Sequence, residues 1–177
     1  INPVSIWLHD TMRYGKMKSQ QSDSILEFLY PLDKVSNWNM AYGKNGFIQY
    51  QCVIPTSAVN ALQEILAVSH KRANPFLIVL KQFGTSNSRS PLSFPIEGFT
   101  LAIDFILTKD LLSLLNDLDQ IVMDNGGRVY LAKDCRLSSE SFHVMYPRWN
   151  EFQEYIHKTS KGQFRSLLSD RLQLTSF

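Results

Sequence analysis

Cysteine is scarce: Cys52 and Cys135 are the two thiols in a chain of 177 residues. That excludes a disulfide scaffold, and their separation matches no metal-ligand spacing, so a reducing compartment is expected. No uninterrupted apolar run approaches the ~18 residues that a membrane span needs, and the N-terminus lacks a basic, then apolar, then small-residue leader pattern. Blocks of like charge are missing too. Eighteen Lys plus Arg stand against 16 Asp plus Glu, a formal net charge of +2, which requires neither a nucleic-acid nor an acidic partner. The chain opens INPVSIWLHD, with Ile1 in place of Met, as expected of a processed product or a piece of something longer. What is present in quantity is apolar: 44% of residues are hydrophobic, enough for one full core or a core plus an appendage, and disorder is excluded.

Several chemistries lack their motifs. The adjacent glycines, Gly126 and Gly127, end a helical pattern instead of beginning one, so neither dinucleotide nor P-loop geometry is expected from this chain alone. His9, His70, His143 and His157 show no i, i+4 pairing, and no metal site is expected. There is no G-x-S-x-G elbow and no histidine partner for either cysteine, which leaves nucleophilic hydrolysis unsupported.

Residues 1–46 carry little periodicity and read as an irregular lead-in, with one short helix or strand around Ile25 to Leu29. From Gly46 the signal sharpens. FIQYQCVIP alternates and predicts a strand over 47–54; a helix over 57–72 follows, capped by Thr56 or Ser57, with Val59, Leu62, Ile65, Leu66 and Ser69 on one face. PFLIVLKQFG, bounded by Pro75 and Gly84, predicts a second strand, and Thr85 to Gly98 a long, turn-rich loop of the kind that often carries function. FTLAIDFIL is a third strand. Thr108 can cap a helix whose apolar positions are Leu111, Leu112, Leu115, Leu118, Ile121 and Val122, and RVYLA is a fourth strand. The order strand, helix, strand, strand, helix, strand predicts an α+β fold: a ferredoxin-like βαββαβ antiparallel sheet over 47–132 with helices on one face. A helical tail over 133–177 follows, with segments near 139–145, 149–158 and 162–173.

Two lysines stand out. Lys81 lies inside the apolar run IVLKQFG and Lys133 ends YLAK, so each places an ammonium at the rim of the expected sheet. Either the stems snorkel over apolar surface, or the charges face a cleft and stabilise negative charge developing on a ligand. Gln49 and Gln51 alternate with Tyr50 along the first strand and share a face, which suits a sugar-like ligand or, equally, a solvent-facing polar stripe. KNGFIQYQ echoes an RNA-recognition strand, but on the first strand instead of the third, and FTLAIDFIL offers no exposed aromatic pair, so no nucleic-acid partner is expected.

The collinear blocks FLYPLDKVSNWNMAYGKNGFIQYQCVIP, LKQFG, SPLSFPIEGF, GGRVYLAKDCR and ESFHVMYPR carry more than periodicity does. In them the chain resembles the C-terminal part of the decaprenylphosphoryl-β-D-ribose 2′-oxidases, vanillyl-alcohol-oxidase-like FAD-dependent oxidoreductases akin to sugar-lactone and alditol oxidases. The resemblance is dense from about Phe28 to Arg148 and looser at both ends.

It implies an enzyme with an FAD-binding N-terminal domain that this chain lacks, a substrate domain to which residues 1 to about 128 belong, and a tail from about Lys133 that returns to the FAD domain. The implied reaction takes hydride from the 2′ carbon of a lipid-linked ribose to flavin. A separate nicotinamide-dependent reductase then completes an epimerisation to arabinose for the cell wall. By the same resemblance Lys133 and Tyr130 are catalytic and lie beside the FAD. Lys81, Phe83, Gln49, Gln51 and Trp38 line the substrate pocket. Thr100, Ala102 and Tyr30 take pocket positions where the mycobacterial enzyme has asparagine, cysteine and histidine, which puts the identity of the sugar and lipid in play.

The chain alone is expected to be inactive, and the parent protein to be bacterial and either cytoplasmic or peripherally associated with a membrane. The alternatives are a sugar-1,4-lactone or alditol oxidase, or a non-catalytic ligand-binding module.

Overall fold

The computed structural model describes residues 7–8, 11–12, 14–16, 22–30, 36–37, 40, 42–73, 75–85, 88–161 and 163–175. The chain divides into two compact units, Ile1–Phe47 and Ile48–Phe177. In the first, helix α1 (Ile25–Leu29) forms where the sequence allowed a helix or a strand. Ser24 starts it with a capping box: its hydroxyl accepts the Glu27 amide N–H at 3.3 Å while its own amide donates to the Glu27 carboxylate at 3.1 Å. Ile25, Leu26, Phe28 and Leu29 are nonetheless exposed.

The sheet that carries the second unit has four strands, β1 (Phe47–Pro55), which starts at the last residue of the first unit, β2 (Leu77–Phe83), β3 (Gly98–Ile106) and β4 (Arg128–Val129), in the spatial order β2-β3-β1-β4. Helix α2 (Asn60–Arg72) joins β1 to β2, and α3 (Leu111–Asp124) joins β3 to β4. With β2 antiparallel to β3 and β1 antiparallel to β4, this is the ferredoxin-like arrangement the element order predicted, an α+β fold. Tyr50, Cys52 and Ile54 of β1 and Leu101, Ile103 and Phe105 of β3 point to the helices, where they meet Leu62 and Ile65 of α2 and Leu115, Leu118 and Val122 of α3 in one core. Close packing sets the local chemistry where β1 and β3 meet: at Gly98 a Cβ would overlap the Ile54 carbonyl, so no side chain fits.

The structure corrects several local expectations. Neither helix has a side-chain cap at its start: Thr56–Ala58 winds as a 3-10 turn ahead of Val59, and the Thr108 carbonyl, not its hydroxyl, accepts the Leu111 amide. Val59 and Leu112 lie on the exposed side, and Ala61 and Leu114 take the buried positions instead. RVYLA is a strand only at Arg128–Val129. The Tyr130 amide still donates to the Gln51 carbonyl at 2.8 Å, but Lys133 donates back to Tyr130 and Asp134 to Leu131, so Leu131–Lys133 closes as a 3-10 turn. Lys133 therefore sits on a turn beyond the strand.

The tail forms α4 (Ser139–Met145), capped by the Ser138 hydroxyl, α5 (Trp149–Ser160) and a short α6 (Leu167–Arg171). It does not stand apart, because Leu137, Phe142, Met145, Tyr146, Leu172 and Leu174 enter the same core as the sheet.

Candidate functional site

Strand alternation sorts the side chains of the second unit onto two faces. Since Tyr50, Cys52 and Ile54 face the helices, Gln49 and Gln51 face the other way, and so do Thr100 and Asp104, which bond to them. Gln51 Nε2 donates to Thr100 Oγ1 at 3.1 Å and Gln49 Nε2 to Asp104 Oδ1 at 2.8 Å. The Thr100 hydroxyl in turn donates a hydrogen bond to the Cys52 carbonyl at 2.9 Å. Both glutamine side chains are half-buried and held by β3, which leaves their amide oxygens to accept from a ligand hydroxyl.

The β2–β3 register extends this face. Lys81 lies opposite Thr100, Val79 opposite Ala102 and Phe83 opposite Gly98. Residues directly opposite one another in an antiparallel pair share a face, so Lys81, Phe83, Thr100, Ala102, Gln49 and Gln51 are all on the side away from the helices. Tyr130, level with Gln51 beyond the end of β4, joins them through an aromatic row. Phe94 stacks on Tyr130 with ring centroids 4.5 Å apart and meets Phe83 edge-on at 5.9 Å. Phe94 comes from the turn-rich loop, is buried, and was not among the residues sequence reasoning picked out. A lone ring between Pro91 and Pro95 is the signal that would have marked it. Arg128 steadies the same loop by donating to the Ser93 carbonyl at 2.8 Å.

Lys133 reaches the region from the turn after β4. With Gln49, Gln51, Tyr50, Asp134 and Arg136 it lines a shallow concavity with room for about one water molecule. Lys81 is not part of that lining; two strands separate it from Gln51's far neighbour, at ~4.8 Å per strand. Contrary to a buried pair beside a cleft, both ammonium groups are exposed, and neither forms an ion pair among the described residues. Tyr30 belongs to the first unit, where it is 56% exposed and closes α1. Trp38 lies outside the described residues.

Burial shapes the electrostatics on the helix side. It raises the Tyr50 phenol well above its ordinary range and pushes the Cys52 thiol up to about 12. It also raises the Asp119 carboxyl, against the pull of the Arg136 guanidinium beside it. The described residues do not fit FAD by themselves. The concavity is far too small, and Gly126 (φ 67°) and Gly127 finish α3 instead of cradling a phosphate at a helix start.

No protein-family model matches the chain. It is, however, 41% identical over 153 residues to the decaprenylphosphoryl-beta-D-ribose oxidase of Mycolicibacterium smegmatis, a match covering 85% of this chain and 33% of that protein. The chain is a relative of decaprenylphosphoryl-ribose oxidase. An uncharacterized protein of Streptomyces coelicolor is 32% identical over 132 residues, 73% of this chain and 36% of its own length. The chain thus spans about a third of the length of the curated relatives it matches. Among the described residues no helix is long and apolar enough to cross a membrane.

Proposed function

We propose that this chain supplies the substrate-facing wall of a sugar-oxidising oxidoreductase that acts on the 2′-hydroxyl of a polyprenyl-phosphoryl ribose. The observation that carries the reading is the 41% identity to a decaprenylphosphoryl-ribose oxidase across most of the chain. The face shared by Gln49, Gln51, Thr100, Lys81, Phe83 and Tyr130 supports it with suitable chemistry.

On this reading the amide oxygens of Gln49 and Gln51 accept hydrogen bonds from ribose hydroxyls, and their N–H groups, donated to Asp104 and Thr100, keep the amides from rotating. Phe83 gives the sugar an apolar surface, while Thr100 and Ala102 set the depth of the floor. Lys81 offers an exposed ammonium to substrate phosphate. Tyr130, its ring packed on Phe94, and Lys133 would approach the reacting carbon, where the ammonium would stabilise negative charge developing on the hydroxyl oxygen as that carbon is oxidised. FAD supplies the hydride acceptor and is held by polypeptide other than the described residues. The keto sugar produced is a substrate for a separate nicotinamide-dependent reductase, and a lipid-linked substrate brings the enzyme to a membrane surface.

The test is turnover by the full-length protein containing this chain. Polyprenyl-phosphoryl ribose should be oxidised while free alditols and sugar lactones are not, and Lys133→Met should remove most of the kcat. Turnover confined to free alditols would transfer the assignment to the alditol oxidases, and a full-length protein without bound flavin would leave only a binding module.

A further inference from the structure

Two ion pairs that the proposed sugar contacts do not use hold the turn behind Lys133. Arg136 is a fork: Nη2 donates to Asp119 Oδ2 at 2.7 Å and to the Leu115 carbonyl at 2.8 Å, and Nη1 donates to Asn116 Oδ1 at 2.8 Å. Asp119, with 5% of its side chain exposed, accepts at its other oxygen from the Tyr50 hydroxyl at 3.0 Å. Tyr50 lies between Gln49 and Gln51 in β1. On the far side of the turn Asp134 accepts the Arg136 and Leu137 amides at 2.9 and 2.8 Å, and its second oxygen accepts from Arg171 Nη2 at 2.8 Å. One network therefore joins β1, α3, the Lys133 turn and α6.

We infer that Arg136 is a positioning residue, which through Asp119 and Tyr50 locks the Lys133 turn against the strand carrying Gln49 and Gln51. The inference rests on the proposed function, in which Lys133 meets the substrate. β4 pairs with β1 only at Val129 and Arg128, and the Tyr130 amide adds one further tie to Gln51. Past that point the side-chain network, not a strand ladder, sets the distance from Lys133 to Gln49. A planar guanidinium meets carboxylate, carbonyl and amide oxygens at once from one fixed fork, a geometry an ammonium cannot reproduce. Displacing a reacting group by ~1 Å costs on the order of a hundredfold in rate.

A double-mutant cycle in the full-length holoprotein tests this, reading kcat and KM together with amide hydrogen exchange over residues 131–137. Arg136→Lys should lower kcat on the order of tenfold with KM changed much less, and speed exchange at the Arg136 and Leu137 amides. Adding it to Lys133→Met should cost almost nothing more, because a residue that acts through Lys133 has nothing left to position. Tyr50→Phe, nearly isosteric, should show a weaker form of the same pattern and serves where Arg136→Lys does not fold. Losses that multiply in the double variant, or an Arg136→Lys protein with unchanged kcat, overturn the positioning role while leaving Lys133 in place. Full activity of Lys133→Met alone instead sinks the role of Lys133, and the positioning inference with it.

Discussion

Cys52 faces the helices with none of its surface exposed, whereas Cys135 is an exposed free thiol on the Lys133 turn. The native chain should therefore be alkylated at Cys135 alone, and at both cysteines after denaturation, as peptide mass mapping of labelled protein will show. The raised Cys52 pKa has a second consequence. A thiol that ionises near 9.0 unfolded and about 12 folded stabilises the native state fully below the first value and loses that contribution as pH rises through the second. Tyr50, also raised by burial, acts in the same direction. The urea midpoint should fall from about pH 8 to about pH 11, and less steeply in Cys52→Ala. Residue types were legible at this scale where alternation along one strand decides them, as at Gln49 and Gln51. Phe94, Asp119 and Arg136 were not, because their significance lies in partners such as Tyr130 for Phe94 and Asp119 for Arg136, distant along the chain, that only folding brings near.

Among the elements, α3 shows how far periodicity reaches. The spacing of its leucines predicts a buried face, and Leu111, Leu115, Leu118 and Val122 are on it, but Leu112 is 50% exposed and Leu114 is buried in its stead. Both choices fit a helical stripe, and the position of the sheet chooses between them. Leu118→Ala should cost about 2–5 kcal/mol of unfolding free energy, while Leu112→Ala should stay within about 0.5 kcal/mol. Denaturant titration of the two variants measures the difference. The shortness of β4 was hidden for a related reason: RVYLA has strand composition throughout, yet the amides of Lys133 and Asp134 find acceptors within their own turn. Composition cannot report such local competition.

At the level of the whole molecule, the tail after Ala132 is part of the core of the second unit. Phe142 and Tyr146 are fully buried, and the Tyr146 hydroxyl donates to the Val129 carbonyl at 2.6 Å, so α4 covers the edge that β4 leaves. Deleting residues 133–177 should abolish the cooperative unfolding transition, as calorimetry will show. A sharp transition in the truncated chain would make the tail an independent segment instead. Amino-acid order was enough to establish the α+β class, the sequence of strands and helices, and the resemblance that points to sugar oxidation. Each of these depends on period, propensity or collinear identity, which are properties of neighbours along the chain. The gathering of Lys81, Gln49, Gln51, Thr100 and Tyr130 on one face, and the Arg136 network behind Lys133, was decided only by tertiary structure. Strand register and buried charge pairing couple residues distant in order, and their energies arise only once the core has closed.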